Sequence, residues 1–375
     1  MAIKEKEVYK IERTVARFMR YADCASESHH ERAFCELMEK ELDALQIPHE
    51  RQMLDSRVVT DGWNILARCP GNRGKRPLLI VLHMDTTAPG NQVNSIIADG
   101  KITSSGNSVL GADGKLAIAL FLEAISQMKE SGESMRPLEL LFTVCQELGS
   151  HGGKYADYSG VESEEALIPD HYVTGEVLVR TPARHFIHVE LIGQGAHVIR
   201  RDEPGVNALE TVVKILHQIP MGQVDENLRI NVFDLVSLSQ SNAVPGHARF
   251  DMEVRTFGAE KWEQVSRDIC RIIEETARMS GCRCNIRKEC DFPESDFSVN
   301  EDMLERLGHI YESVGIPMKR ARSFGVMDAT CTQQIGIGSI PIGFSIYHSH
   351  SAGEYVVIDE MKKMLQLVKQ ILREF

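Results

Sequence analysis

Five residues with metal-ligating side chains stand near the ends of predicted strands in this 375-residue chain. They are His83, Asp113, Glu147, Glu176 and His350. Any one of them alone is more simply explained as a surface polar residue or, for Asp113, as a helix N-cap. Two imidazoles and three carboxylates together are the ligands that two divalent ions prefer. The joint pattern therefore predicts a site for two metal ions.

The motif His83-Met84-Asp85 follows the buried-type strand Leu78 to Leu82. Ligands in open α/β sheets bind at the carboxyl ends of strands. The alternation of a strand places His83 and Asp85 on one side, so Asp85 is predicted to orient the imidazole as an outer carboxylate.

The elements that must position these residues form an α/β lobe. Ser28 and Glu31 have the spacing of a capping box before the second helix. Strands that alternate with helices, with largely apolar central strands, predict a mixed sheet covered by helices on both faces. The predicted helices are Glu7–Tyr21, Ala33–Leu45, Lys115–Met128 and Asp359–Leu372, and the predicted strands are Asn64–Arg68, Leu78–His83 and Leu138–Val144.

A second domain is predicted within this lobe. After Arg180 the order becomes strand, helix, strand, strand, helix and a closing strand, which is typical of an α+β domain of the split βαβ, ferredoxin-like kind. The helix and strand alternation of the first lobe resumes from about Val299. We predict a metal-binding domain of residues 1–183 and 294–375, with residues 184–293 inserted.

Composition excludes several classes of function. A formal net charge of −12 argues against a nucleic-acid partner. The apolar runs are too short to span a membrane, and the amino terminus lacks the apolar stretch of a signal peptide. Nine cysteines without a CxxC pair fit reduced thiols, so a cytoplasmic location is expected.

Together these motifs resemble the co-catalytic zinc peptidases that include peptidase T, glutamate carboxypeptidase and succinyl-diaminopimelate desuccinylase. By this resemblance, Asp113 in Gly111-Ala112-Asp113 is the bridging carboxylate and Glu147 is a ligand. His350 closes a His-x-x-x-Glu pattern with Glu354, and His348 is the nearby competitor. Glu176 takes the place of the third acidic ligand, and Asp170 is the alternative. The metals implied are two divalent ions, with zinc expected.

The resemblance extends to the inserted domain, which is similar to the family's lid and dimerisation domain. It implies a homodimer in which His197, in Gly195-Ala196-His197, reaches the partner's active site. Asn242, Arg255 and Asp328 match substrate-binding positions. A turn residue and a strand-end ion pair are the simpler interpretations of Asn242 and Arg255.

The sequence departs from the family at Gln146, where the family has its catalytic base, a glutamate. An amide can orient water but cannot accept its proton, a role worth about 10²–10⁴ in rate. Three interpretations stay open: an engineered trap of a hydrolase, a natural metal-dependent binder, and a natural variant with another base such as His151 or Asp85.

The function predicted is that of a metal-dependent exopeptidase or amidohydrolase of the peptidase T type. It would cleave an amide bond of a small peptide or an N-acyl amino acid. The alternative is an inactive metal- and peptide-binding protein on the same scaffold. The substrate side chain and the metal identity are not determined by the sequence.

Overall fold

The structure is a computed structural model that describes residues 2–199, 202 and 204–375, with side chains from residue 11 onward. The chain forms two compact units. The first unit comprises Met1–Arg180, Asp296–Arg322 and Met327–Phe375. The second unit comprises Thr181–Ser295 and Ser323–Val326.

The described residues of both units form α-helices and β-strands. The α-helices of the described residues are α1 Ala2–Ala22, α2 Arg32–Ala44, α3 Ala112–Ser131, α4 His151–Lys154, α5 Ala208–Leu216, α6 Ala259–Met279, α7 Glu301–Ser313, α8 Asp328–Gln334 and α9 Ile358–Glu374. The strands are β1 His49–Gln52, β2 Asn64–Cys69, β3 Leu78–His83, β4 Ser95–Ala98, β5 Lys101–Ser104, β6 Leu138–Thr143, β7 Glu165–His171, β8 Glu176–Thr181, β9 Ala183–Ile192, β10 Ala196–His197, β11 Gly222–Asp225, β12 Leu228–Val236, β13 Ala243–Val244, β14 His247–Thr256, β15 Arg283–Phe292, β16 Ser295–Asp296, β17 Lys319–Arg322, β18 Gly338–Gly343 and β19 Tyr355–Val357.

The main sheet of the first unit is mixed. Its strand order is β1-β2-β6-β3-β7-β18-β8-β16, and β17 pairs with β8. The neighbours β6, β3, β7 and β18 run parallel to one another, whereas β2 runs antiparallel to β6. The carboxyl ends of these four central strands therefore meet at one edge of the sheet.

Strand β3 shows that both faces of this sheet are covered. Leu78, Ile80 and Leu82 pack into one hydrophobic core with helices α1, α3 and α9. Leu79 and Val81 point the other way, into a separate core that includes Ala329 of helix α8. A strand buried on both faces explains the uninterrupted apolar run in the sequence. The predicted α/β fold class is confirmed.

The second unit is built on an antiparallel sheet of strand order β11-β12-β14-β9-β15. Ile187, Val189 and Leu191 of β9 pack with helices α5 and α6 on one face. The edge strand β11 and the small β10-β13 pair were absent from the predicted order of elements. The role of this unit as a lid or dimerisation domain stays a prediction.

The predicted capping box at the start of α2 is wrong. Glu31 is the N-cap residue, but it has helical backbone angles and makes no side-chain cap. The Ser28 hydroxyl donates instead to Asp85, and the Glu31 carboxylate accepts from Thr60 and Cys145. Partners from elsewhere in the fold thus take both side chains, which local spacing cannot reveal.

Each helix in the described part of the chain is too short or too polar to cross a lipid bilayer.

Candidate metal centre

The candidate site lies at the carboxyl edge of the four parallel strands. His83 ends β3, Asp170 is the penultimate residue of β7, and Glu147 follows β6. His350 lies in the segment between β18 and β19, and Asp113 is in the first turn of α3. Open α/β sheets bind ligands at this edge.

His83, Asp113 and Asp170 form the first group of side chains that could hold a metal ion. The Nε2 atom of His83 lies 3.1 Å from Oδ1 of Asp113 and 3.8 Å from Oδ1 of Asp170. All three side chains are at least nine-tenths buried. On the other side of the ring, Nδ1 of His83 lies 3.1 Å from the backbone oxygen of Asp85. An N–H at Nδ1 would leave the Nε2 lone pair free for a metal.

Asp113, Glu147 and His350 form the second group. The Nε2 atom of His350 lies 3.0 Å from Oδ2 of Asp113 and 3.1 Å from Oε1 of Glu147. Asp113 therefore presents one carboxylate oxygen to each group. This is the placement that a carboxylate bridging two ions requires.

The electrostatics of the two groups show a shortage of positive charge. Burial, followed by the charge of Asp113, raises the pKa of Glu147. Burial and neighbouring carboxylates also raise the pKa of Asp170 well above its usual range. Divalent cations would relieve this repulsion, and the imidazole and carboxylate donors are those that zinc accepts.

Protons compete with any metal ion for the imidazole nitrogens of the two histidines. Hydrogen bonds with Asp113 and Glu147 raise the pKa of His350 to about 10. Burial lowers the pKa of His83, but its hydrogen bond with Asp113 and the surrounding carboxylates outweigh burial and raise it well above its usual value. Both shifts favour the protonated form of the ring when no metal is bound.

The predicted role of Asp85 in orienting His83 stays a prediction. Its Oδ1 atom lies 3.6 Å from Nδ1 of His83, which is too far for a good hydrogen bond. The carboxylate instead accepts from the Ser28 hydroxyl at 2.7 Å and from the backbone N–H groups of Gln146 at 2.9 Å and Glu147 at 3.1 Å. The Asp85 carboxylate thus fixes the backbone of the loop that follows the neighbouring strand β6. Its backbone oxygen lies closer to Nδ1 of His83 than its carboxylate does.

Gln146 is 7% exposed, and its side chain points into the site. Its Nε2 atom donates to Oδ2 of Asp170 at 2.8 Å. An amide can make this bond to a carboxylate, whereas a deprotonated glutamate in the same place would repel Asp170.

The structure does not bring Glu176 to either metal-ligating group. Glu176 begins β8, beyond β18 from the cluster, where its carboxylate pairs with Lys319 at 2.7 Å and His171 at 3.0 Å. Asp170, the alternative in the sequence, lies in the first group instead. We correct the third acidic position to Asp170, because β7 is the strand that adjoins β3 at the site.

Residues around His350 complete the second group. Glu354 is buried and accepts from the backbone N–H groups of Gly111 at 2.7 Å and Asp113 at 3.3 Å. Burial, followed by the charge of Asp113, raises the pKa of Glu354 to about 7. His348 is exposed and near Tyr355, and it is in neither metal-ligating group.

Asp328 was predicted to bind substrate, yet it is only 2% exposed. Its Oδ2 atom accepts from the Thr143 hydroxyl at 2.7 Å, and its other oxygen lies against Gly153. The carboxylate therefore braces the end of β6 beneath the site. This position does not favour direct contact with a substrate.

The predicted catalytic residue His197 and the predicted substrate-binding residues Asn242 and Arg255 lie in the second unit. His197 on β10 pairs with Ala243 on β13, so it is one residue in register from Asn242, and both His197 and Asn242 are exposed. Arg255 donates to Glu253 at 2.7 Å and to the backbone oxygen of Phe324 at 2.6 Å. The strand-end ion pair considered for Arg255 is thus present, and a substrate role for these residues stays a prediction.

Two residues that contact the site were not predicted to do so. Tyr172 follows β7, hydrogen-bonds Asp113 and lies with its ring edge toward His350, with centroids 6.3 Å apart. Ser28 reaches Asp85 from the segment before α2. An aromatic residue next to a ligand-bearing strand end could have pointed to Tyr172, but no spacing relates Ser28 to Asp85.

Comparison with known proteins gives the family. Residues 79–374 match the model described as Peptidase family M20/M25/M40. The chain is 25% identical to the uncharacterized protein YqjE of Bacillus subtilis (strain 168) over 366 residues, which is 96% of this chain and 98% of that protein.

Two solved structures are also similar. A tripeptidase from Staphylococcus aureus has a TM-score of 0.89 at 23% identity, and covers 97% of this chain and 98% of its own. The aminopeptidase PepT from Bacillus cereus has a TM-score of 0.82 at 26% identity, with the same coverage of 97% and 98%. From the match over most of its length, the chain belongs to peptidase family M20/M25/M40.

Proposed function

We propose that this chain is a metal-dependent exopeptidase of the peptidase T type that cleaves small peptides. The observation that carries the proposal is the pair of ligand groups that share Asp113. His83 and Asp170 would hold one divalent ion, Glu147 and His350 the other, and Asp113 both. Two such ions would supply an activated water and a Lewis acid for the scissile carbonyl.

The chain's own residues support this chemistry by positioning. Asp85 fixes the backbone of Gln146 and Glu147, and Glu354 fixes that of Gly111 and Asp113. The Gln146 amide can orient a water or a substrate carbonyl, but it is not basic enough to take a proton. Turnover is therefore expected to be slow, while metal binding should remain.

The substrate class is proposed from the similar proteins. The similar structures are described as a tripeptidase and an aminopeptidase. A short peptide is accordingly the first substrate to test, with N-acyl amino acids second. We also propose that the metal is zinc, that the protein is a homodimer and that its location is cytoplasmic. The second unit is proposed to act as a lid, with His197, Asn242 and Arg255 as its functional residues.

A second candidate is a metal- and peptide-binding protein without turnover. The hydrogen bond from Gln146 to Asp170 favours this second candidate. In this arrangement the Gln146 amide holds a candidate ligand in place, and no base occupies its position.

The test compares the chain with Gln146→Glu, both loaded with zinc, for release of free amino acid from di- and tripeptides. A gain of about 10²–10⁴ in rate is expected from restoring a proton acceptor. The control is Gln146→Glu combined with Glu147→Gln, which lacks a ligand and should stay inactive. Metal and peptide binding with no turnover in either form would establish the binder instead.

A further inference from the structure

The loop that carries Gln146 and Glu147 is held by four successive backbone N–H groups. The N–H of Val144 donates to the side-chain oxygen of Asn64 at 3.1 Å, and that of Cys145 donates to Glu31 at 3.0 Å. The next two N–H groups donate to Asp85. Three buried side chains from separate segments thus fix the path of four consecutive residues.

Cys145 is the residue at which this path turns. Its φ is 52°, in the left-handed region that a residue with a Cβ rarely adopts. Such a conformation persists only when its surroundings enforce it. Glu31 supplies that enforcement, because its Oε1 atom accepts from both the backbone N–H and the thiol of Cys145, the latter at 3.1 Å.

Glu31 is itself fixed. It is fully buried, and its other oxygen accepts from the Thr60 hydroxyl at 2.6 Å. Glu31 immediately precedes α2, so its backbone is anchored at a helix start rather than in a free loop. The carboxylate therefore links the start of α2 to the turn at Cys145 through hydrogen bonds in a fixed position.

We propose that Glu31 is a positioning residue that sets the direction of Gln146 and Glu147 by holding Cys145 in its left-handed conformation. The inference rests on the proposed metal-dependent function for its consequence, which is the affinity of the ion held by Glu147. Its structural part concerns the loop alone and can be measured without metal.

Glu139 offers a matched control. It too is a buried glutamate, 2% exposed, that accepts from backbone N–H groups, those of Glu162 and Ser163, and from a hydroxyl, that of Ser163. It stands near the opposite end of β6 from the candidate site. A variant of Glu139 therefore removes the same kind of interaction without touching the loop.

The first measurement is hydrogen exchange, read by mass spectrometry on the metal-free full chain. Glu31→Ala should speed exchange in peptides covering residues 144–149 by about tenfold or more, since the N–H of Cys145 loses its acceptor. Glu139→Ala should speed exchange near residues 162–163 and leave 144–149 unchanged. Glu31→Gln retains an acceptor oxygen and should restore protection. Should Glu31→Ala not fold, Glu31→Asp, which is one methylene too short to brace both partners, is measured instead.

The second measurement is calorimetric titration of the same variants with zinc. Glu31→Ala should weaken one of two binding steps by roughly 10- to 100-fold, the usual cost of losing a partner behind a ligand, while Glu139→Ala keeps both. Unchanged exchange in residues 144–149 would overturn the positioning role, whatever zinc does. Faster exchange in a chain whose parent binds no zinc would keep the positioning of the loop and overturn the proposed function.

Discussion

The side-chain amide of Gln146 donates to the carboxylate of Asp170 across the end of β3, with Nε2 and Oδ2 2.8 Å apart. Strand β3 lies between β6 and β7, so the two side chains meet beside His83 at its carboxyl end. This bond stabilises a candidate ligand without a metal. In Gln146→Glu the same contact would need a shared proton or a cation, so that variant should depend more strongly on metal for its stability.

The assignment of the third acidic ligand is directly testable. Asp170→Ala should weaken one zinc-binding step by at least the roughly 10- to 100-fold that loss of an outer partner costs. Glu176→Ala should leave both steps unchanged, because its carboxylate pairs with Lys319 and His171. Calorimetric titration measures zinc binding by both variants. Weaker binding in Glu176→Ala than in Asp170→Ala would show that Glu176, not Asp170, is the ligand.

Metal removal should lower thermal stability. Divalent cations would stabilise the crowded carboxylates of Asp113, Glu147 and Asp170 in the folded chain only, so each site filled by zinc at 100 times its dissociation constant should add about 2.7 kcal/mol to the free energy of unfolding. Calorimetric melting with zinc and with a chelator measures the difference. Asp113→Ala, which removes the shared ligand, should make the two melting curves coincide.

Zinc affinity should rise with pH. The pKa of His350 is raised to about 10, so its ring holds a proton at pH 7 that must leave before a metal binds. The pKa of His83 is raised as well, which adds to the effect. Titration between pH 6 and 9 in buffers of different ionisation enthalpy should show proton release. His350→Asn should release fewer protons per ion bound, and equal release would contradict the assignment.

The second unit should lose stability in mild acid. His185 is buried and stacks on Trp262 with ring centroids 3.7 Å apart, and burial lowers its pKa from 6.5 to about 4. Between these two values the unfolded chain binds a proton that the folded chain does not, so the free energy of unfolding falls as pH drops through this window.

The expected loss on going from pH 7 to pH 4 is about 2–3 kcal/mol. Urea unfolding followed by Trp262 fluorescence measures it. His185→Gln should flatten this dependence, and an unchanged slope would show that His185 is not its source.

Gly153 should not tolerate a side chain. A Cβ there would lie 2.3 Å from Oδ1 of the buried Asp328, so Gly153→Ala must displace that carboxylate. A loss of about 1–3 kcal/mol is expected from overpacking. Gly74→Ala is the control, since its Cβ would meet no atom within 4 Å. Equal unfolding midpoints in urea for the two variants would contradict this account.

The sequence alone was sufficient to predict the α/β fold class and the family. The run Leu78 to Leu82 is apolar throughout because β3 is buried on both faces, so the uninterrupted run in the sequence reflects burial in the tertiary structure. The motifs around His83, Asp113 and Glu147 could likewise be recognised in the sequence, because each lies near the end of a strand or the start of a helix.

Tertiary structure alone decided between Asp170 and Glu176. Asp170 lies near the end of β7 and Glu176 begins β8, and only the order of strands shows that β7 adjoins β3. It alone also revealed that Glu31 and Ser28, spaced as a capping box, bind Cys145 and Asp85 instead. The physical reason is that a buried carboxylate binds whichever N–H and O–H donors the fold brings within about 3 Å, and those donors are set by packing between distant segments.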